Sequence, residues 1–422
     1  MNQLKSRESE ADNPGESVPG AALPGALPEA LRAELVAFRR DLHMHPELGN
    51  QEFRTTAALK TRLERAGLTP RLLGMGTGLI CDIGTEDGEW RGGRGMLALR
   101  ADIDALPIPD TKTDCAYRST VPDRAHACGH DVHTTVVLGA GLVLADLHSK
   151  GQLPHPVRLL FQPAEEVLPG GAPDAIDCGV LDGVRGIIGV HCDPKVDAGR
   201  IGIRPGPITS ACDRLEVTLD GPGGHTARPH LTTDLVTAAA KVATEVPALV
   251  ARRVDARSGL AVTWGRLETG HACNVIPQHA ELSGTVRCLD LDAWRQAPDL
   301  VHGAIQEIAD LYRAKPVVNY IRGVPPVVND PVVTDLLRDA MAARRGPDSV
   351  EDTQQSLGGE DFSWYLEQVP GAMARLGVKP PGDRGSRDLH QGDFDVDEAA
   401  ITVGVELFTA AALLDGASPC GD

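Results

Sequence analysis

"HPVRLLFQPAEE", residues 155–166, is an apolar run that breaks at its carboxyl end into Gln162, Pro163 and two adjacent carboxylates, Glu165 and Glu166. A short run of this kind fits a strand buried on both faces, as the strands of parallel sheets are. Two other stretches share the form. "GRGMLALRADIDALP" (93–107) passes from Met, Leu and Ala into Arg100, Asp102 and Asp104, and "VRGIIGVHCDP" (184–194) reads as a strand ending in His191. Helical patterns alternate with them: "PEALRAELVAFRRDLHMHPEL" (28–48), "EFRTTAALKTRLERAG" (52–67) and the strongly apolar "TTVVLGAGLVLADLH" (134–148). Strands and helices alternate, and polar residues gather at strand ends. That pattern predicts an α/β sheet with a site along its carboxyl edge.

From about Ser210 to Gly323 the rhythm changes. The strand pattern "CDRLEVTLDG" (212–221) is followed by a long helix (231–253), two strands (260–270 and 279–290), a second long helix (291–314) and the strand "KPVVNYIRG" (315–323). The order β-α-β-β-α-β is that of a ferredoxin-like unit. The α/β pattern then resumes with "DPVVTDLLRDAMAARRG" (330–346), the strand "GAMARLGV" (371–378) and a helix from about Asp397. The expected fold is therefore an α/β domain, residues 28–208 and 325–422, with a mixed central sheet flanked by helices. Into it is inserted an α+β unit, residues 209–324. Residues 1–27, rich in Gly, Pro, Ser and Glu, read as a disordered leader.

Composition excludes some functions. Hydrophobic residues make up 42% of the 422 and charged residues 24%, ordinary for a globular chain. A net charge of −18 opposes nucleic acid, whose phosphates need Lys and Arg. Nine cysteines without disulfide-like spacing fit a reducing cytoplasm. On this reading no apolar run approaches the ~20 residues that span a bilayer, so no membrane is expected.

The chemistry begins at "HACGHDVHTT" (126–135), where Cys128 and His130 lie two apart. In an extended or looped segment that spacing points both the same way, and thiolate and imidazole are ligands that suit a zinc-like ion. Asp131 and His133 are candidates to orient such a ligand. An isolated Cys-x-His is as often a buried thiol beside a surface histidine. An isolated Glu-Glu pair is usually a solvated loop, although adjacent carboxylates also invite a cation. His191 alone reads as structural, and His390, in "DLHQGDFDVDE" (388–398), as part of a charged loop. Together they offer Cys128, His130, Glu166, His191 and His390 with Glu165 to spare, a set that suits two cations sharing a water. Structural zinc needs four closed ligands, usually from CxxC pairs, which this chain lacks.

Taken in order, "RRDLHMHPEL", "LRADIDALP", "HACGHDVHTT", "FQPAEE", "GVHCDP", "GPGGHTARPH", "CNVIP", "GGEDFSWYLEQVPG" and "DLHQGDFDVDE" resemble the aminoacylase and hippurate-hydrolase branch of the dinuclear metal exopeptidases, which also includes hydrolases of auxin–amino acid conjugates. The likeness covers nearly everything after the leader. It implies metal ligands Cys128, His130, Glu166, His191 and His390 for two divalent ions, zinc or manganese, and Glu165 as catalytic base. Arg100 stands where wider relatives have a ligating histidine, and Asp102 keeps an orienting role. His225 resembles the inserted-domain histidine that helps to hold the reacting carbonyl, often across a dimer interface. Asn274 resembles a residue reaching the substrate from the same domain, and the amides of Gly358 and Gly359 are candidates for the substrate carboxylate. The implied function is hydrolysis of the amide bond of a small N-acyl amino acid by a cytoplasmic homodimer, the inserted unit serving as lid and dimerisation domain. A dipeptidase or carboxypeptidase on the same fold shares the metals and Glu165. A catalytically decayed binding protein would lack a ligand or the base, and a structural metal protein would have no use for the free base Glu165.

Overall fold

Pro28 precedes the first helix, α1 (Glu29–Met44), and Gly67 follows the second, α2 (Phe53–Arg65), at φ 79°, where a residue without Cβ costs least. The computed structural model describes residues 23, 25–85, 95–380, 382 and 387–415. The first 22 residues of the expected leader lie outside them, while Leu27 at its end is buried. After α2 come β1 (Arg71–Leu72), β2 (Leu79–Ile83), β3 (Met96–Asp102), the long helix α3 (His130–Ser149), β4 (Val157–Gln162), α4 (Ala172–Asp177), β5 (Val184–Asp197) and β6 (Ile201–Ile203). The different rhythm follows with β7 (Gly206–Pro207), β8 (Ala211–Asp220), β9 (Gly224–His225), α5 (Leu235–Arg252), β10 (Ala261–Thr269), β11 (Val275–Ile276), β12 (His279–Cys288), α6 (Leu291–Leu311) and β13 (Lys315–Val324). The chain closes with β14 (Val328–Asn329), α7 (Pro331–Arg345), β15 (Val350–Asp352), α8 (Ser363–Leu366), β16 (Gly371–Lys379) and α9 (Ala399–Leu414).

Eight strands form one mixed sheet in the order β1-β2-β4-β3-β5-β16-β6-β15. Its centre, β4-β3-β5-β16, is parallel, and every residue of β3 and β4 is buried, as the uninterrupted apolar runs require. The carboxyl ends of β3 and β4 are where Asp102 and the "PAEE" segment emerge. β5 differs from expectation: it does not end at His191 but runs on to Asp197. The reason is pairing. Its ladder with β3 stops at Gly189, whereas that with β16 continues past His191. His191 therefore lies beyond the sheet edge on one side and inside a ladder on the other.

Helix α3 packs on β3, β4 and β5 and beneath α9. The close approach of α3 and α9 depends on two glycines: a Cβ on Gly139 would lie 2.6 Å from Val405, and one on Gly404 would lie 2.6 Å from Val136. α3 also corrects the composition argument about membranes. At 20 residues it is long and apolar enough to cross a bilayer, but 67% of its apolar window is buried inside the protein, so its apolarity serves the core.

The strands β8, β10, β12 and β13 form a separate antiparallel sheet, ordered β10-β12-β8-β13. Its amphipathic helices α5 and α6 enclose a second core that includes Leu215, Val242, Leu282, Val301 and Ile305. Asp213 holds the base of this unit, accepting hydrogen bonds from Trp294 Nε1 (2.8 Å), Tyr320 Oη (2.7 Å) and Gly323 N (2.8 Å). Side-chain links to the large sheet's half include Arg295–Glu367 (2.6 Å) and the edge-on rings of Trp294 and Trp364.

Candidate metal centre

Gly129, between Cys128 and His130, has φ 87° and precedes the first residue of α3. This left-handed turn, in a looped segment, brings the thiol and the imidazole together. A Cβ at Gly129 would also lie 2.7 Å from Cys192 Sγ. Cys192 thus faces Gly129 and not the cluster, while its amide donates to His133 Nε2 at 2.8 Å.

Ligand atoms of Cys128, His130 and His191 lie within 4.8 Å of one another, as do those of Cys128, Glu166 and His390, and those of His130, Glu165 and Glu166. Cys128 Sγ is 3.5 Å from His191 Nε2, and His390 Nε2 is 3.5 Å from Glu166 Oε1. All five expected ligands and the expected base are therefore gathered in one place. His390 reaches it from a loop, at φ 63°, with its amide donating to Ala127 O.

Two observations indicate that this donor set fits cations. His130 Nε2 and Glu166 Oε1 are buried and have no hydrogen-bond partner among the described residues, a cost that proteins rarely leave unanswered. The protonation pattern agrees. Burial, then the carboxylates of Glu360 and Glu166, push Glu165 well above the ordinary carboxylate range, and burial pushes Glu166 to about 7. Burial and the same two glutamates, Glu166 and Glu165, also push the Cys128 thiol up. Burial alone would lower His130, but Asp102 and Asp104 outweigh it and bring the imidazole to about 10. Crowded anions that must take up protons when no metal is bound are what a divalent ion relieves.

The supporting acids include one the sequence did not suggest. Asp104 faces His130, with Oδ1 3.2 Å from Nδ1, and its Oδ2 accepts from the Glu166 amide at 3.0 Å. Asp102 holds His133 Nδ1 at 2.6 Å and Arg100 Nη1 at 2.8 Å, with Oδ2 3.7 Å from His130 Nε2. Asp131 turns away from the cluster to Arg39 and His43, each at 2.7 Å. Arg100, which stands at a ligand position of wider relatives, is a buried cation paired with Asp102, Glu360 (3.1 Å) and Asp361 (2.7 Å). Glu360 and Asp361, whose ligand atoms also lie close to Glu165, were missed as contributors. The acidic pair in "GGEDF" was the available signal.

His225 and Asn274 are exposed and adjacent, on the small β9–β11 ribbon, where Thr226 N donates to Asn274 O. His225 belongs to none of the groups of metal-capable atoms among the described residues. Gly358 donates its amide to Ser356 Oγ at 3.2 Å, and a Cβ on Gly359 would lie 2.9 Å from Cys212 and Val324.

A mixed sheet with thiol, imidazole and carboxylate donors converging at its carboxyl edge defines a class, the metal-dependent hydrolases of amide bonds. More narrowly, the chain belongs to peptidase family M20/M25/M40, whose family model matches residues 98–414. A Rhodococcus jostii (strain RHA1) protein carrying a glutamate–cysteine ligase name is 47% identical over 385 residues, 91% of this chain. The chain spans only 47% of that protein's length. The N-acetyl-L-cysteine deacetylase of Bacillus subtilis (strain 168) is 38% identical over 372 residues, 88% of this chain and 85% of its own. A crystal structure from Bacillus subtilis, described as a dinuclear metal-binding peptidase of the M20 family, superposes with a TM-score of 0.79 at 33% identity, covering 92% of this chain and 99% of the other.

Proposed function

We propose that this protein is an amidohydrolase that cleaves a small N-acyl amino acid into a carboxylic acid and a free amino acid, using two divalent ions. The observation that carries the reading is the pair of buried, unpartnered ligand atoms, His130 Nε2 and Glu166 Oε1, beside the protonatable Glu165. Cys128, His130, Glu166, His191 and His390 would hold the ions. Bound zinc or manganese would polarise the amide carbonyl and lower the pKa of water. Glu165, 3.9 Å from His130 Nε2, takes the proton of the attacking water and passes it to the departing nitrogen.

Asp102 fixes His133, and through it the Cys192 amide beside His191. His225 and Asn274 serve as substrate contacts brought by the inserted unit, residues 209–324, acting as lid and dimer interface. The Gly358–Gly359 loop leads directly into Glu360 and borders the substrate's carboxyl end. Exposed Val317 and Leu267 on the edge strands of the inserted unit support a homodimer. Free thiols at every described cysteine fit a cytoplasmic setting.

The test is an activity screen on N-acyl amino acids and on dipeptides with free N-termini, with added Mn²⁺ or Zn²⁺. The acyl substrates should be preferred. Glu165→Gln should lose at least ~10²-fold in kcat while keeping its metal content. Undiminished turnover in the metallated variant would overturn the assignment of the base.

A further inference from the structure

Arg375 is a buried cation that the mechanism above leaves unused. It sits on β16, paired in register with His191 on β5. Residues paired across parallel strands emerge on the same face, so the guanidinium and the imidazole leave the sheet together. On its other side Arg375 lies opposite Gly202, where a Cβ would come 3.4 Å from that of Arg375. The residue is 5% exposed, and its Nη2 has no hydrogen-bond partner among the described residues. Its register partner His191 is one of the candidate ligands, so Arg375 leaves the sheet beside the candidate metal centre.

Arg100 makes the contrast. It is just as buried, but three carboxylates hold it. A desolvated guanidinium without such a partner is costly, and its planar fork matches the two oxygens of a carboxylate. We propose that Arg375 anchors the free carboxylate of the acylated amino acid through a bidentate ion pair and so restricts the enzyme to substrates that carry one. This rests on the N-acyl amino acid reading and adds the residue that selects its anionic end.

The experiment compares N-acetylalanine with N-acetylalaninamide, which lacks the charge, on the metal-loaded full-length protein. In Arg375→Met the ratio of kcat/KM for the acid over the amide should fall on the order of 10²-fold, the scale for leaving a buried charge pair unmade. Arg375→Lys, which keeps the charge but not the fork, should fall less, and it also serves if the Met variant does not fold. An unchanged ratio overturns the proposal. So does loss of bound metal in a folded Arg375→Met protein, which would assign Arg375 to holding the Cys128 thiolate. If the parent enzyme cleaves neither these compounds nor any other N-acyl amino acid of the screen, that reading fails on its own. Calorimetric binding of N-acetylalanine to the Glu165→Gln protein, lost or retained on adding Arg375→Met, then still decides for or against the anchor.

Discussion

Asp104 ties two ligands with one carboxylate: one oxygen faces His130 Nδ1 and the other accepts from the Glu166 amide. An asparagine can accept at only one of these places and turns a donor toward the other. Asp104→Asn should therefore weaken metal binding by about 10–100-fold, measured by competition with a chromophoric chelator, and an unaltered affinity would remove Asp104 from this role. Glu52 offers a different test. Its Oε1 accepts from Asn50 N and Ala164 N, and burial raises its pKa to about 7. A carboxyl raised in the fold above its unfolded value of about 4.3 adds stability below that pH and loses it as the pH climbs through 7. In chelator-treated protein, Glu52→Gln should match the parent near pH 4 and exceed it at pH 8 by about 3–4 kcal/mol, read from denaturant midpoints. At this scale the sequence was a partial guide. It identified the ligand types, but spacing does not say which acid faces which imidazole. Asp131, one step along α3 from His130, is turned about 100° away by the helix, so it meets Arg39 and His43 instead. Arg375 had a visible signal, a charge inside the apolar strand "GAMARLGV".

The start of α3 is an element whose geometry depends on one residue. Gly129 takes the left-handed conformation and leaves room for Cys192. Gly129→Ala should cost about 2–5 kcal/mol, combining a left-handed penalty of ~1–2 with overpacking of ~1–3. Adding Cys192→Ala should restore roughly 1 kcal/mol or more by relieving the overpacked part. Thermal or denaturant unfolding checks both, and an undisturbed Gly129→Ala protein would contradict this account of the turn. The elements themselves were readable because buried parallel strands are continuous apolar runs and the helices carry apolar faces. Their ends were less so. The length of β5 is set by how far β16 runs beside it, a fact about another part of the chain.

For the whole molecule, the four-stranded unit was foreseeable from its alternating strands and two long amphipathic helices, and it has the expected β-α-β-β-α-β order. What local patterns do not contain is its docking, which rests on contacts such as Arg295–Glu367 between distant segments. His225 is exposed on this unit, outside the donor cluster. If it serves the partner's site, mixing inactive Glu165→Gln and His225→Ala proteins should regenerate one working site per mixed dimer. An absence of rescue after verified subunit exchange would place His225 in its own subunit's site or outside catalysis. The pairing of α3 with α9 bears on synthesis as well as stability. α3 leaves the ribosome early, yet its glycine-lined partner α9 is the last described helix to be made. At ordinary translation rates the interval is on the order of tens of seconds. For that time a helix apolar enough to enter a bilayer stands without its cover, so chaperones and membrane surfaces compete for the nascent chain before the fold can close over it.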